Sequence, residues 1–173
     1  MIKLTDYLYD LIQNSIHAHA ETIILSLMFD RNFLYLKLID NGIGMDFQTL
    51  KKVRLFSHTS NDKRSVGLGL SMINDLCHQT NGSFHIDSEY QKGTKLKLSF
   101  EYKHIDFPEF GDLGILISDL YMHQELKAFK LIYKKYHKTI SYDLNQKFLN
   151  QERLFNIKKD IEKDINETIK EVE

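Results

Sequence analysis

The chain has 173 residues, enough for one domain or one compact domain with an appendage, and 42% apolar and 27% charged residues mark an ordinary globular protein. A net charge of −1 leaves no basic excess to neutralise phosphates, which argues against a general nucleic-acid or membrane-surface role. One cysteine, Cys77, excludes an intramolecular disulfide; there is no run apolar enough for a signal peptide or a membrane span, so the expected location is the cytoplasm.

Leu4, Tyr7, Leu8, Leu11, Ile12, Ser15 and Ile16 follow helical spacing and predict a first amphipathic helix. Residues 22–29 and 33–39 are β-branched and apolar runs joined by Asp30-Arg31-Asn32, a hairpin signal. Asp46 is a good N-cap for a short helix from Phe47 to about Arg54. Residues 55–66 (LFSHTSNDKRSV) lack any period and are expected to form a mobile loop. A second helical stripe from Gly69 runs through Met72, Ile73, Leu76, Cys77 and Thr80 and stops at Asn81-Gly82, with Cys77 expected in the core. Strands at 83–89 and 94–102 follow. The expected fold is α/β, a two-layer sandwich in which helices cover one face of a mixed sheet. The single proline, Pro108, suggests a boundary, giving one unit over residues 1–103 and a C-terminal module over 104–173. That module reads as a helix over 112–125, strands over 128–136 and 139–143, and a final helix from Leu144 to the end.

Three short motifs punctuate the first part: DLIQN (Asp10 to Asn14), DNGIGM (Asp40 to Met45) and GLGL (Gly67 to Leu70). Asp10, Asn14 and His17 share a helix face away from the apolar stripe. Such a triplet is ordinarily just solvated; a binding role needs support from elsewhere in the chain. Asp40 ends an apolar strand, so its carboxylate is expected to be buried and to need a donor. A plain Asn-Gly turn after a strand is the ordinary alternative. GLGL opens a helix, where free N–H groups favour anions and glycine admits phosphate closely, although glycines there often only relieve sterics.

In this order and spacing the motifs resemble the GHKL ATPase superfamily, which groups gyrase-type topoisomerases, heat-shock chaperones, histidine kinases and MutL mismatch-repair proteins. The resemblance covers residues 4–102. It implies an ATP or ADP site in which Asp40 accepts from the adenine amine, with Gly42, Gly44 and Met45 close to the base. Asn14 would ligate Mg²⁺ and Asp10 would act as the general base, although a Glu is usual at that position in the gyrase-like branch. Gly67, Leu68, Gly69 and Leu70 would face the phosphates, and Lys63 and Arg64 in the preceding loop would meet them. Gly93-Thr94 matches the family's Gly-Thr pair, in which the Thr helps hold adenine.

No Walker-type phosphate loop or zinc spacing occurs, and no phosphoacceptor helix precedes the pocket. The expected function is a nucleotide-gated regulatory or interaction protein that binds ATP or ADP with Mg²⁺, possessing at most slow hydrolysis. The alternative is a true ATPase or a serine kinase resembling the anti-sigma factors. A protein partner or a homodimer is expected through the final helix, where Leu154, Ile157, Ile161, Ile165, Ile169 and Val172 form a narrow apolar seam, the alternative being that the seam packs back onto the chain's own C-terminal strands; neither nucleic acid nor membrane is expected as a partner.

Overall fold

The computed structural model describes residues 2–56, 68–123, 125–135, 138–145 and 150–170. Its elements are α1 (Leu4–His17), β1 (Thr22–Phe29), β2 (Phe33–Asp40), α2 (Phe47–Phe56), α3 (Leu68–Gln79), β3 (Ser83–Glu89) and β4 (Gly93–Glu101). After these come α4 (Leu113–Tyr121), β5 (Ala128–Lys135), β6 (Lys138–Asn145) and α5 (Gln151–Lys170). All six strands form one mixed sheet in the order β3-β4-β2-β1-β5-β6, with β1 and β5 parallel and every other pair antiparallel.

Period-two alternation explains the layering. Ile23, Leu25 and Leu27 of β1 and Leu34, Leu36 and Leu38 of β2 are almost fully buried, and they meet the apolar faces of α1 and α3. Cys77 lies within this core, and burial pushes its thiol up to about 12, which suits a packing residue and not a nucleophile.

The boundary read after residue 103 falls between β4 and α4, and the sheet continues across it. β5 pairs with β1 from Thr22↔Ala128 to Phe29↔Lys135. The segment between β4 and α4 also reaches the start of α1, where the Leu4 and Thr5 N–H groups donate to the carbonyls of Glu109 and Phe110 at 2.9 and 3.0 Å. A helix leaves its first N–H groups without intrahelical partners, so this distant segment supplies what a side-chain cap otherwise would. Asp6 completes the cap by accepting from the Lys3 N–H at 2.8 Å.

Several boundaries differ from those read from sequence. The final helix begins at Gln151, not Leu144: Ile140, Tyr142 and Leu144 alternate toward the core in β6, and Asn150 caps α5 by accepting from the Arg153 N–H at 2.8 Å. α2 runs on through Leu55 and Phe56, the first two residues of the expected loop. The rest of that expected loop, with Lys63 and Arg64, lies outside the described residues, as does Gly67.

The apolar seam of α5 meets this chain's own core where it is described. Ile161 is 1% exposed, and Leu154 and Ile157 pack partly buried against the same cluster. Asp164 fastens the helix to β6, accepting from the Tyr142 hydroxyl at 2.9 Å and from Lys138 Nζ at 3.1 Å. The described part of the seam therefore packs on the chain's own core. The side chains of Ile165, Ile169 and Val172 lie outside the described residues.

Candidate nucleotide site

Asp40 is the last residue of β2 and is 7% exposed. Its Oδ2 accepts the Ser15 hydroxyl at 2.9 Å, and its Oδ1 accepts the N–H groups of Gly42 at 2.9 Å and Thr94 at 3.1 Å. These three donors are neutral, so the carboxylate is held by N–H and O–H dipoles. A carboxylate has about four acceptor positions, so three bonds leave one for a further donor.

The turn after Asp40 is fixed on both sides. Ile43 donates to the Ala18 carbonyl at 2.8 Å, and the Gln91 N–H donates to Ile43 at 2.6 Å. Gly44 has φ +64° and Gly93 has φ +93°. A Cβ on Gly44 would collide with the Glu89 carbonyl, and one on Gly93 with the Asp40 carbonyl. Glycine is needed at both points so that this turn and the β3–β4 turn can approach.

Ser88 links the two turns. Its hydroxyl donates to the Gly93 carbonyl at 2.9 Å and accepts the Met45 N–H at 2.9 Å. Its 2.9 Å bond to Thr94 Oγ1 must then run from Thr94 as donor, because the single Ser88 hydrogen is already committed.

Between these turns, α1 and α3 is a cavity of about 160 Å³. Asn14, Ser15, Asp40 and Thr94 give it a polar side, while Leu11, Met45, Leu70, Ile86 and Leu96 give it apolar walls. That volume is below the roughly 300 Å³ at which whole drug-sized ligands are usually held. It suits one flat heterocycle gripped at its edge, with the remainder of the ligand extending outward past Asn14.

Gly69, in the first turn of α3, faces Asp10 of α1: a Cβ there would stand 3.2 Å from the Asp10 Cβ and 3.3 Å from its Oδ2. Asn14, Asp40, Gly44, Met45, Leu70 and Thr94 therefore converge on one cavity, and Gly42 holds the Asp40 carboxylate. Asp10 stands beside Gly69 but lines a neighbouring cavity of about 380 Å³ between α1, α3 and α4. Leu68 begins α3, and its side chain lies outside the described residues.

Two participants escaped the sequence reading. Ser15 was counted in the apolar stripe of α1, yet a hydroxyl on a buried helix face needs a partner, and that rule would have singled it out. Ser88 carried no comparable signal, because its role depends on the register that sets it against Thr94.

Comparison with known proteins agrees with this geometry. The profile of the family described as histidine kinase-, DNA gyrase B-, and HSP90-like ATPase matches residues 2–104. The chain belongs to this GHKL family. Family membership implies ATP binding. A sensor protein of Shewanella frigidimarina is 33% identical over 102 residues, covering 57% of this chain and 16% of that protein. The sensor histidine kinase YvrG of Bacillus subtilis is 34% identical over 77 residues, covering 41% of this chain and 13% of that protein. Sporulation kinase A of the same organism is 26% identical over 103 residues, covering 58% and 17%. The GHKL chain thus spans about a sixth or less of these relatives.

Among the described residues no group of three or more His, Cys, Asp or Glu is placed to hold a metal, and no helix is long and apolar enough to cross a membrane. Asn14, with its amide exposed at the mouth of the cavity, fits Mg²⁺, which commonly takes one or two protein oxygens and completes its shell with phosphates and water.

Proposed function

We propose that the protein binds ATP or ADP with Mg²⁺ in this cavity and acts as a nucleotide-gated regulatory or interaction protein in the cytoplasm. The observation that carries the reading is the Asp40 carboxylate, which keeps one acceptor position toward a cavity sized for a single base. Adenine offers an exocyclic amine there, whereas guanine would bring a carbonyl oxygen against a carboxylate. Asn14 supplies an oxygen to Mg²⁺, and the phosphates lie against the start of α3. Residues 1–103 are the nucleotide-binding unit, and residues 104–173 are a module that completes its sheet.

Asp10 is the candidate general base. An Asp reaches one methylene less far than a Glu, which favours slow turnover and hence a protein that responds to bound nucleotide. The related sensors and kinases carry their matching segments within much longer chains, which also fits a nucleotide-responsive unit serving a larger signalling purpose.

Purified protein with γ-labelled ATP tests this. Retained ATP with near-background release is the expected result, and rapid release of phosphate or transfer of label to protein would overturn the gated reading. Asp10→Asn should remove residual hydrolysis while ATP stays bound, because a general base contributes on the order of 10²–10⁴ in rate. Turnover that survives Asp10→Asn would defeat the role given to Asp10. Asp10→Glu should raise turnover if the short side chain is what limits it.

A further inference from the structure

Among the described residues the helices pack on one face of the sheet, and the alternate side chains of the strands form a second face with Met28 and Tyr35 42% and 40% exposed. The strand registers arrange that face in rows. In one row Lys97 of β4 stands directly opposite Lys37 of β2, and both are exposed. Opposed like charges weaken an antiparallel pair, so the stability of the sheet alone does not account for them. Lys95 extends this ridge along β4, and Lys130 and Lys134 raise a second one on β5. Among the described residues none of these five lysines makes an ion pair or hydrogen bond through its side chain. The acids Asp87 and Asp143 stand on the outer strands, opposite Lys95 and Lys130.

Between the ridges the floor is largely apolar. Ile24 lies opposite Ile39, Met28 opposite Tyr35, and Ile132 opposite Ser26. From Lys37 on β2 to β5 there are two strand spacings, roughly 10 Å at about 4.8 Å each, and from Lys97 on β4 there are three, roughly 14 Å. An α-helix with its side chains is about 10–12 Å across. The eight residues of β1 extend about 26 Å, the length of roughly seventeen helical residues.

We propose that this face docks an amphipathic α-helix of a partner protein, laid along β1 with its apolar stripe on the floor and acidic residues on both flanks. The flanking carboxylates reach Lys37 and Lys97 on one side and Lys130 and Lys134 on the other, relieving the Lys37–Lys97 opposition. A single-stranded nucleic acid fits less well. Its bases need aromatic platforms, and the rings of Phe33 and Tyr35 lie together at one end of a floor whose other residues, among them Ile24, Ser26, Met28, Ile39 and Ile132, are not aromatic. The proposal does not rest on the nucleotide reading.

The test uses the whole chain and a labelled synthetic peptide of about eighteen residues, with leucines at helical spacing and glutamates on both flanks, followed by fluorescence anisotropy. Binding should saturate, weaken with salt, and be about tenfold tighter than for a scrambled peptide of the same composition. Lys97→Glu should weaken it about tenfold while raising the Tm, since repulsion across the strands becomes attraction. ATP affinity should be unchanged. Equal binding of the scrambled peptide, or indifference to Lys97→Glu, would overturn the proposal. So would tighter binding of an oligothymidylate or of phosphatidylglycerol vesicles than of the peptide.

Discussion

Ser15 donates its hydroxyl to Oδ2 of Asp40 at 2.9 Å, tying the last turn of α1 to the end of β2. The helix that presents Asn14 and the strand that presents Asp40 are thereby joined at the cavity. The Gly42 and Thr94 N–H groups share the other oxygen, so the two carboxylate oxygens have separate tasks.

That division makes Asp40→Asn an informative substitution. An amide can keep its oxygen on the Gly42 and Thr94 N–H groups and turn its NH₂ toward the Ser15 oxygen, which is able to accept. The fold should therefore survive while the adenine amine meets a donor. ATP affinity should fall by about 1–3 kcal/mol, roughly 5- to 150-fold, with only a small change in Tm. Calorimetry giving equal affinity for mutant and wild type would remove Asp40 from base recognition.

Asn14→Ala should abolish most of the magnesium dependence of ATP binding and leave metal-free ADP binding nearly intact. The residue is exposed at the cavity mouth and its side chain makes no hydrogen bond among the described residues, so the fold should not change. Titrations with and without magnesium, run on both proteins, measure this. A wild type indifferent to magnesium would make Asn14 an ordinary surface residue.

Gly93→Ala and Gly69→Ala should differ sharply. At Gly93, with φ +93°, a Cβ is strained and meets the Asp40 carbonyl, so stability should fall by at least about 1–3 kcal/mol in urea melts. At Gly69 the helical backbone is ordinary, and the roughly 1 kcal/mol gained in helix propensity offsets the close approach to Asp10. Gly69→Ala should be near neutral in stability yet weaken ATP, because the added methyl intrudes beside the expected phosphate path.

Asp164 offers a test by pH. Partial burial works to raise its pKa, but the bonds from Lys138 and Tyr142 outweigh it and leave the carboxyl below the usual range. A lowered folded pKa means that this stabilisation is complete above the unfolded value of about 3.9 and is lost as pH falls through the lower folded value. Tyr142 responds in the opposite sense, since burial and its bond to Asp164 both push its hydroxyl up. Asp164→Asn should lower stability at pH 7 by about 0.2–1 kcal/mol, and the difference should vanish near pH 2. Thermal melts at the two pH values decide it, and a difference unchanged between them would contradict the pairing.

Most of the nucleotide-binding elements were legible because they rest on local rules. The stripe of Leu8, Leu11 and Ile12 marked α1, and the alternation around Leu34, Leu36 and Leu38 marked β2 within one residue of its end. Less legible was anything set by distant pairing. Leu144 looked like the start of a helix because its strand role comes from Phe129, opposite it in β5. Nothing near Ala128 announces that β5 will lie beside β1, since an apolar run carries no address. Within the site, Asp40 and Thr94 were found by motif, whereas Ser88 matters only once β3 and β4 are in register.

The placement of β1 has a consequence in time. One neighbour, β2, follows directly in the chain, but the other, β5, arrives only after α4 has been made. Closing so large a loop must precede the contacts that reward it, which slows folding. On the ribosome, the motifs for the nucleotide will have emerged well before β5 can reach β1 and before Glu109 and Phe110 can cap α1. A nascent chain carrying all three motifs would expose one edge of β1 and an uncapped α1. Its ability to hold nucleotide should mature only once β5 has emerged and paired with β1.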